Sequence, residues 1–376
     1  MAGIYLHIPF CKQACHYCDF HFSTNVSRKS EMVEAICREL EMKASSGNEP
    51  IETIYFGGGT PSLLSDSELT RIFQTIEKHF EIHSNAEITL EANPDDLSAE
   101  KIRQLSGTPI NRLSIGIQSF YNEDLKFMNR AHNANEADRC VKHAQDIGLE
   151  NITIDLIYAI PGLSSERWIN NIQKAIALQV PHISSYCMTI EPKTVFGNRE
   201  QKGLLQQSPD ELSLEQYLIL SNELKNSNFF HYEVSNFAKK GFESKHNTAY
   251  WNGVPYIGVG PSAHSFDGKN RRKWNISNNA LYLKKIASNE PFFEEEVLSN
   301  SERYNETIMT GFRTAKGIDL NEISTKFEVN IKKEFSEEIG KYIRNQWMLL
   351  DGDNLRLTEE GFFRGDSISS DFFIVD

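Results

Sequence analysis

The stretch Gly3 to Phe22, GIYLHIPFCKQACHYCDFHF, constrains this chain more than any other. A short apolar run with strand character leads directly into Cys11, Cys15 and Cys18 at CxxxCxxC spacing. Three thiolates so close on one loop can hold three corners of a 4Fe-4S cube. The next cysteine, Cys37, falls inside a helical pattern, so no fourth thiolate is at hand and one iron is left open. A zinc site completed by His16 or His21 is the alternative, but zinc loops usually pair two ligands with a second, distant pair, and none is visible.

The six cysteines form no paired framework, and three are crowded into one motif, which fits a reducing compartment and a metal role better than disulfides. No apolar run approaches the roughly 20 residues needed to cross a bilayer. The N-terminus enters a strand without a basic region or small-residue cleavage site, so a cytoplasmic protein is expected. The formal net charge of −13 has the wrong sign for binding nucleic acid by phosphate neutralisation. The basic patch Arg271, Arg272, Lys273 reads as a solvated turn.

At 376 residues the chain suits two domains, or one large barrel with an appendage. Strand-like runs recur at Ile4 to Ile8, Thr53 to Phe56, Glu87 to Leu90, Arg112 to Ile117, Ile152 to Tyr158 and His182 to Ile190. Helical patterns lie between them, at Lys29 to Ala44, Ser65 to Phe80, Ser98 to Leu105, Asn122 to Met128, Asn135 to Ile147 and Ser164 to Leu178. Met32, Val33, Ile36, Cys37 and Leu40 share one face of the first, which makes Cys37 a core residue, and Cys140 reads the same way. Cys187, within the sixth strand, is ambiguous. The alternation predicts an α/β fold with a parallel sheet and helical crossovers, with chemistry gathered at the C-terminal ends of the strands.

Residues of chemical interest do sit where the strands run out. Strand one ends in the cysteine loop, and strand two in Gly57, Gly58, Gly59, Thr60 and Pro61, where backbone groups can approach a ligand closely. Strand three ends in Glu91, Ala92, Asn93 and Pro94. Strand four delivers Gly116, Gln118 and Ser119, with Asn129 and Arg130 after its helix, and strand five carries Asp155.

In these motifs the chain resembles the radical S-adenosylmethionine (SAM) proteins, whose core is a partial (β/α)6, TIM-like barrel. The resemblance implies a 4Fe-4S cluster on Cys11, Cys15 and Cys18, with SAM at the open iron. It implies that Tyr5 reaches SAM, and that the backbone at Gly58, Gly59 and Thr60 holds its amino group. Glu91, Gln118, Arg130 and Asp155 resemble the contacts to its carboxylate and ribose. The chemistry agrees, since a carboxylate needs Arg or N–H donors and ribose hydroxyls suit Asp or Glu acceptors.

Past the helical pattern Asp210 to Leu224, the segment HYEVSNFAKKGFESKHNTAYWNGVPYIGVGPSAHSF is rich in aromatics, imidazoles and glycines, as for a surface fitted to something flat and apolar. It contains HNTAYW, His246 to Trp251. From about Pro291 the acids Glu294 to Glu296 open a different region. Helical patterns follow at Leu320 to Phe327 and Ile331 to Arg344, then a hairpin around DGDN, together resembling a small winged-helix cap used as a lid or docking surface. The expected division is a core barrel at 1–235, a junction segment at 236–290 and a C-terminal cap domain at 291–376.

The layout is similar to the branch that contains oxygen-independent coproporphyrinogen III oxidase and the HemW heme chaperones. An HNxxYW segment is associated with the chaperones, so the resemblance makes His246 a heme-ligand candidate, with His264 as competitor. The oxidase loop continues as CxxxCxxCxC, whereas Phe20 stands two past Cys18, and the first cysteine comes at position 11, without room for the oxidase's N-terminal arm. Both departures favour a chaperone that binds cluster, SAM and heme and hands heme to an acceptor protein. A radical SAM enzyme decarboxylating coproporphyrinogen propionates is the alternative. Peripheral contact with membrane-bound acceptors and a homodimer stay open; nucleic acid is not expected.

Overall fold

The structure, a computed structural model, describes residues 2–44 and 49–375. Strand β1 (Ala2–Ile8) is followed by α1 (Lys29–Lys43), β2 (Ile51–Gly58), α2 (Asp66–His79), β3 (Ile82–Ala92), α3 (Ala99–Leu105) and β4 (Arg112–Gln118). Next come α4 (Asn122–Phe127), α5 (Ala134–Asp146), β5 (Ile152–Tyr158), α6 (Ser165–Ala177) and β6 (His182–Cys187). Each of β1 to β6 pairs with the next in parallel register, as the alternation of strand and helix requires. Sequence supplies the helix starts: Ser65 with Glu68 and Asn133 with Glu136 form capping boxes, and Ser98 and Ser164 cap α3 and α6.

The period of two in β1 sets the layers. Ile4, Leu6 and Ile8 are buried in the hydrophobic core with Met32, Ile36 and Leu40 of α1. Gly3, Tyr5 and His7 take the opposite face, lining the bore. Cys37 and Cys140 are buried on helix faces.

Further on, α7 (Val195–Gln201), α8 (Asp210–Asn226), β7 (Phe230–Glu233), β8 (Asn236–Ala238), α9 (Lys245–Trp251), β9 (Tyr256–Val259), β10 (His264–Phe266), β11 (Arg271–Asn275), α10 (Asn279–Ser288) and β12 (Phe293–Val297) complete the large unit. The 12-stranded sheet has the order β12-β11-β10-β9-β1-β2-β3-β4-β5-β6-β8-β7 and its two ends do not meet, so the barrel is partial. Strand β1 is therefore internal, flanked by β2 and, also in parallel, by β9.

The run Glu294 to Glu296, which reads in sequence as the opening of the C-terminal region, is instead part of edge strand β12, paired with β11. Charged side chains on an edge strand discourage pairing with other chains. The C-terminal region contains α11 (Asn300–Phe312), β13 (Ile318–Asp319), α12 (Leu320–Phe327), α13 (Ile331–Glu334) and α14 (Ser336–Arg344). The pair β14 (Met348–Asp351) and β15 (Asn354–Leu357) follows, forming with β13 a three-stranded sheet. The helical pattern Ile331 to Arg344 breaks at Phe335, whose ring packs on Phe372 at 5.3 Å. Among the described residues no helix is long and apolar enough to cross a membrane.

Candidate cofactor site at the strand ends

The cysteine loop is held from both sides. The Cys11 N–H donates to the Ser23 carbonyl at 3.1 Å, and the Ser23 N–H to that of Pro9 at 2.9 Å. Opposite, the His16 N–H reaches the Met128 carbonyl at 3.0 Å, and the Asn129 amide donates to Ala14 O at 2.7 Å. Lys12 pairs with Asp95 and Asp96. Both histidines of the zinc alternative are engaged elsewhere: His16 Nδ1 lies 3.0 Å from the Phe127 carbonyl and His21 Nε2 2.7 Å from Asn279 Oδ1.

Behind the loop, strand β2 turns sharply. Gly58 has φ +103°, and a Cβ there would lie 2.7 Å from the His7 ring; a Cβ on Gly59 would meet the Phe10 carbonyl oxygen at 2.6 Å. Glycine is thus needed to bring β2's end against the root of the loop. The Thr60 hydroxyl donates to Cys11 Sγ at 3.3 Å and accepts from the Asn93 amide at 3.2 Å. Arg130 donates through Nη2 to Asn93 Oδ1 at 2.6 Å and the Gly116 carbonyl at 2.7 Å, and through Nη1 to Cys15 Sγ at 3.4 Å. Burial pushes the Cys11 thiol up to about 11 and the Cys18 thiol up to about 12. Such thiols ionise once a metal is there to take the charge.

These groups face a cavity of about 460 Å³, within the range of small-molecule sites. It is lined by Cys11, Cys15, Cys18, Gly58, Gly59, Thr60, Glu91, Gln118, Arg130 and Asp155. Among the described residues no three His, Cys, Asp or Glu side chains gather round a single metal-ion position. The three thiols instead border a shared space, the placement a cube with separated iron corners asks for.

A register shift between Ile115 and Gln118 gives β4 a bulge that leaves Gln118 at φ +67°. The bulge re-aims this side chain, whose buried Oε1 has no partner among the described residues. Glu91 and Asp155 form the acceptor wall. Burial raises each carboxyl to about 7, against hydrogen bonds from Tyr55 and the Gly58 backbone to Glu91, and from Ser184 and Ser114 to Asp155. Arg130 beside Cys15 and the carboxyls Glu91 and Asp155 line the same cavity, a donor and acceptor set suited to a zwitterionic amino acid carrying a hydroxylated sugar.

Two expected residues lie outside this lining. Tyr5 is in the bore below, its hydroxyl 3.3 Å from His7 Nδ1. His246, on α9, is 2% exposed, with Nδ1 2.8 Å from the Thr53 hydroxyl and Nε2 2.9 Å from that of Tyr250. Both of its ring nitrogens are thus engaged inside the barrel. The reason is the N-terminus of α9, whose backbone N–H groups at Lys245 and His246 each donate to the Glu87 carboxylate at 3.1 Å. His264 is exposed on β10 and stacks on Trp274 at 6.3 Å.

Sequence reasoning missed Tyr17, Ser114 and Tyr186, which also line the cavity, and Tyr55, whose hydroxyl donates to Glu91 Oε1 at 2.7 Å. Thr53, Tyr55 and Gly57 alternate on the inner face of β2, and that period of two was the available signal.

Residues 5–189 match the Radical SAM superfamily and residues 298–364 the HemN C-terminal domain, so the barrel with its cysteine loop is of the radical SAM class. The E. coli structure described as "Coproporphyrinogen III oxidase (HemN) from Escherichia coli is a Radical SAM enzyme" superposes with a TM-score of 0.85, covering 99% of this chain and 90% of that one. At 19% identity it shows the fold alone. The heme chaperone HemW of Lactococcus lactis subsp. lactis (strain IL1403) is 36% identical over 373 residues, 99% of this chain and 97% of its own. That of Bacillus subtilis (strain 168) is 35% identical, covering 91% and 88%. The chain belongs to the HemW family.

Proposed function

We propose that this protein is a heme chaperone that holds a 4Fe-4S cluster on Cys11, Cys15 and Cys18, binds SAM beside it, and passes heme to an acceptor protein in a reducing, cytoplasmic compartment. The observation carrying the reading is the convergence of three thiols, Arg130, Glu91 and Asp155 on one cavity in a HemW-family chain. When bound, the cluster supplies an open iron and one-electron chemistry. Arg130 and the backbone at Gly58 to Thr60 orient the amino-acid end of SAM, and Glu91 and Asp155 accept from its hydroxyls. Phe20, 69% exposed and lining the cavity, brings no ligand or proton-relay atom to it.

Heme ligation calls for a neutral imidazole with a free nitrogen beside an apolar wall. We place it at His264, an exposed residue whose pKa is lowered by partial desolvation and by Arg272, and whose ring stacks on Trp274. Ligation through His246 would first have to break its bond to Tyr250. The test is anaerobic reconstitution followed by parallel assays for heme binding, transfer to a heme-free acceptor and coproporphyrinogen consumption. Heme binding and transfer without porphyrinogen turnover is expected; turnover would replace the chaperone reading with the oxidase.

A further inference from the structure

Helix α9 carries a motif that neither the cavity nor the heme site absorbs. It lies across the bore at the level of Gly3, Thr53 and Glu87, which are neighbours in register. The His246 ring is stacked on Tyr55 with centroids 4.8 Å apart and planes at 19°. Tyr5 lies 6.1 Å from Tyr55 at 21° and 6.4 Å from His246 at 24°, so the three rings pack as a triangle, and the Tyr55 hydroxyl reaches Glu91 Oε1 at 2.7 Å. Below it His246 is fixed in turn by Thr53 and Tyr250. Gly3 makes the room: a Cβ there would stand 2.7 Å from the Thr53 hydroxyl and 3.5 Å from the His246 ring.

Burial pushes His246 down to about 3, so the ring is neutral at working pH. A neutral imidazole offers one donor and one acceptor, and two hydroxyls can satisfy both. A histidine kept this way is a wedge under Tyr55.

We propose that His246 is a positioning residue, holding Tyr55 against Glu91 and so fixing an acceptor of the SAM cavity from the far end of the barrel. The proposal rests on the SAM reading only for its ligand; the His246–Tyr55 stack and the Tyr55–Glu91 hydrogen bond are observed independently of it. The groups with charge or titratable hydroxyls facing Glu91 are Tyr5 on β1, Tyr55 on β2, Asp155 on β5, Tyr186 on β6 and Tyr250 on α9. Of these, Tyr55 donates to the Glu91 carboxylate and favours its ionised form.

The test compares wild type with Tyr55→Phe, His246→Ala and His246→Phe. Infrared titration of the Glu91 carboxyl in the cluster-free protein is read beside SAM affinity after reconstitution. Tyr55→Phe removes the hydrogen bond and should raise the Glu91 midpoint by about one pH unit and weaken SAM binding about tenfold. His246→Ala should move both in the same direction, because Tyr55 loses its support. His246→Phe keeps a ring under Tyr55 and should restore the wild-type midpoint, although it has no ligating nitrogen. A wild-type midpoint in His246→Ala, or in Tyr55→Phe, would overturn the proposal. If the alanine variant fails to fold, the phenylalanine variant decides, since a midpoint displaced as far as that of Tyr55→Phe also overturns it. A wild type that bound no SAM would remove the SAM reading and leave the infrared titration to judge the positioning role.

Discussion

Arg130 Nη1 lies 3.4 Å from Cys15 Sγ, while Nη2 of the same guanidinium holds Asn93 and the Gly116 carbonyl. One side chain thus ties the cysteine loop to the ends of β3 and β4. Lysine would keep the charge but cannot span these partners. A charge-assisted hydrogen bond is worth about 1.5–3 kcal/mol, so Arg130→Lys should lose its reconstituted cluster in air on the order of tenfold faster. Decay of the visible absorbance measures it, and an unchanged rate would remove Arg130 from the support of the loop.

Cluster content should depend on three cysteines only. Cys15→Ser is expected to abolish iron binding after anaerobic reconstitution. Cys37→Ser and Cys140→Ser, at buried helix positions, should keep about four irons per chain. Iron and sulfide analysis of the four proteins decides; loss of iron in Cys37→Ser would mean a different ligand set.

The acceptor wall should make SAM binding, as proposed, sensitive to pH. Burial holds the protons of Glu91 and Asp155 to about pH 7, and the cationic ligand favours the ionised pair. Affinity should therefore rise as pH climbs through about 7, with proton uptake by the buffer on binding. Without ligand the sign reverses for stability. Between about 4, where such groups ionise in an unfolded chain, and about 7, the folded protein binds more protons, so stability falls as pH rises. Asp155→Asn should flatten both profiles, and calorimetry in two buffers reads the proton count.

Glycine at position 59 is required by space. Its substitution by alanine puts a methyl 2.6 Å from the Phe10 carbonyl and 2.8 Å from that of Ile8. Backbone atoms cannot swing aside, and overpacking of this kind costs about 1–3 kcal/mol. Gly59→Ala should lower the melting temperature and the yield of reconstituted cluster together. A stable variant with normal iron would show that the loop root can shift.

Heme binding should separate the two histidines. His264→Ala is expected to shift the Soret band and weaken heme binding about tenfold or more, with little change in melting temperature, since the ring is exposed. His246→Ala should leave the Soret band in place and lower the melting temperature, because it removes a buried ring and leaves Thr53 and Tyr250 without their partner. The reverse pattern would return the ligand role to His246.

The alternation of strands and helices was readable because caps such as Ser65 and Asn133 and β-branched runs such as Ile152 to Tyr158 carry their instructions locally. That the cysteine loop, Gly58, Glu91 and Asp155 face one cavity was readable because strand ends share a rim. Tyr55 was not, since a tyrosine inside a strand looks the same whether it packs or donates to a ligand wall. The burial of His246 depends on Glu87, 159 residues earlier, taking the N-terminus of α9. No periodicity reports such a partner. The Glu294 to Glu296 run misleads for a related reason: three acids disfavour a strand, and pairing with Arg271 to Asn275 overrides that preference.

Because β1 lies between β2 and β9, the order of synthesis matters. The strand that bears the cysteine loop acquires its second neighbour only when Tyr256–Val259 has been made. Until then one side of β1 has open backbone groups. Contacts so distant along the chain form late and slow the final step of folding. A nascent chain ending before Tyr256 is thus unfinished at its first strand, and cluster insertion should wait until Tyr256–Val259 has emerged.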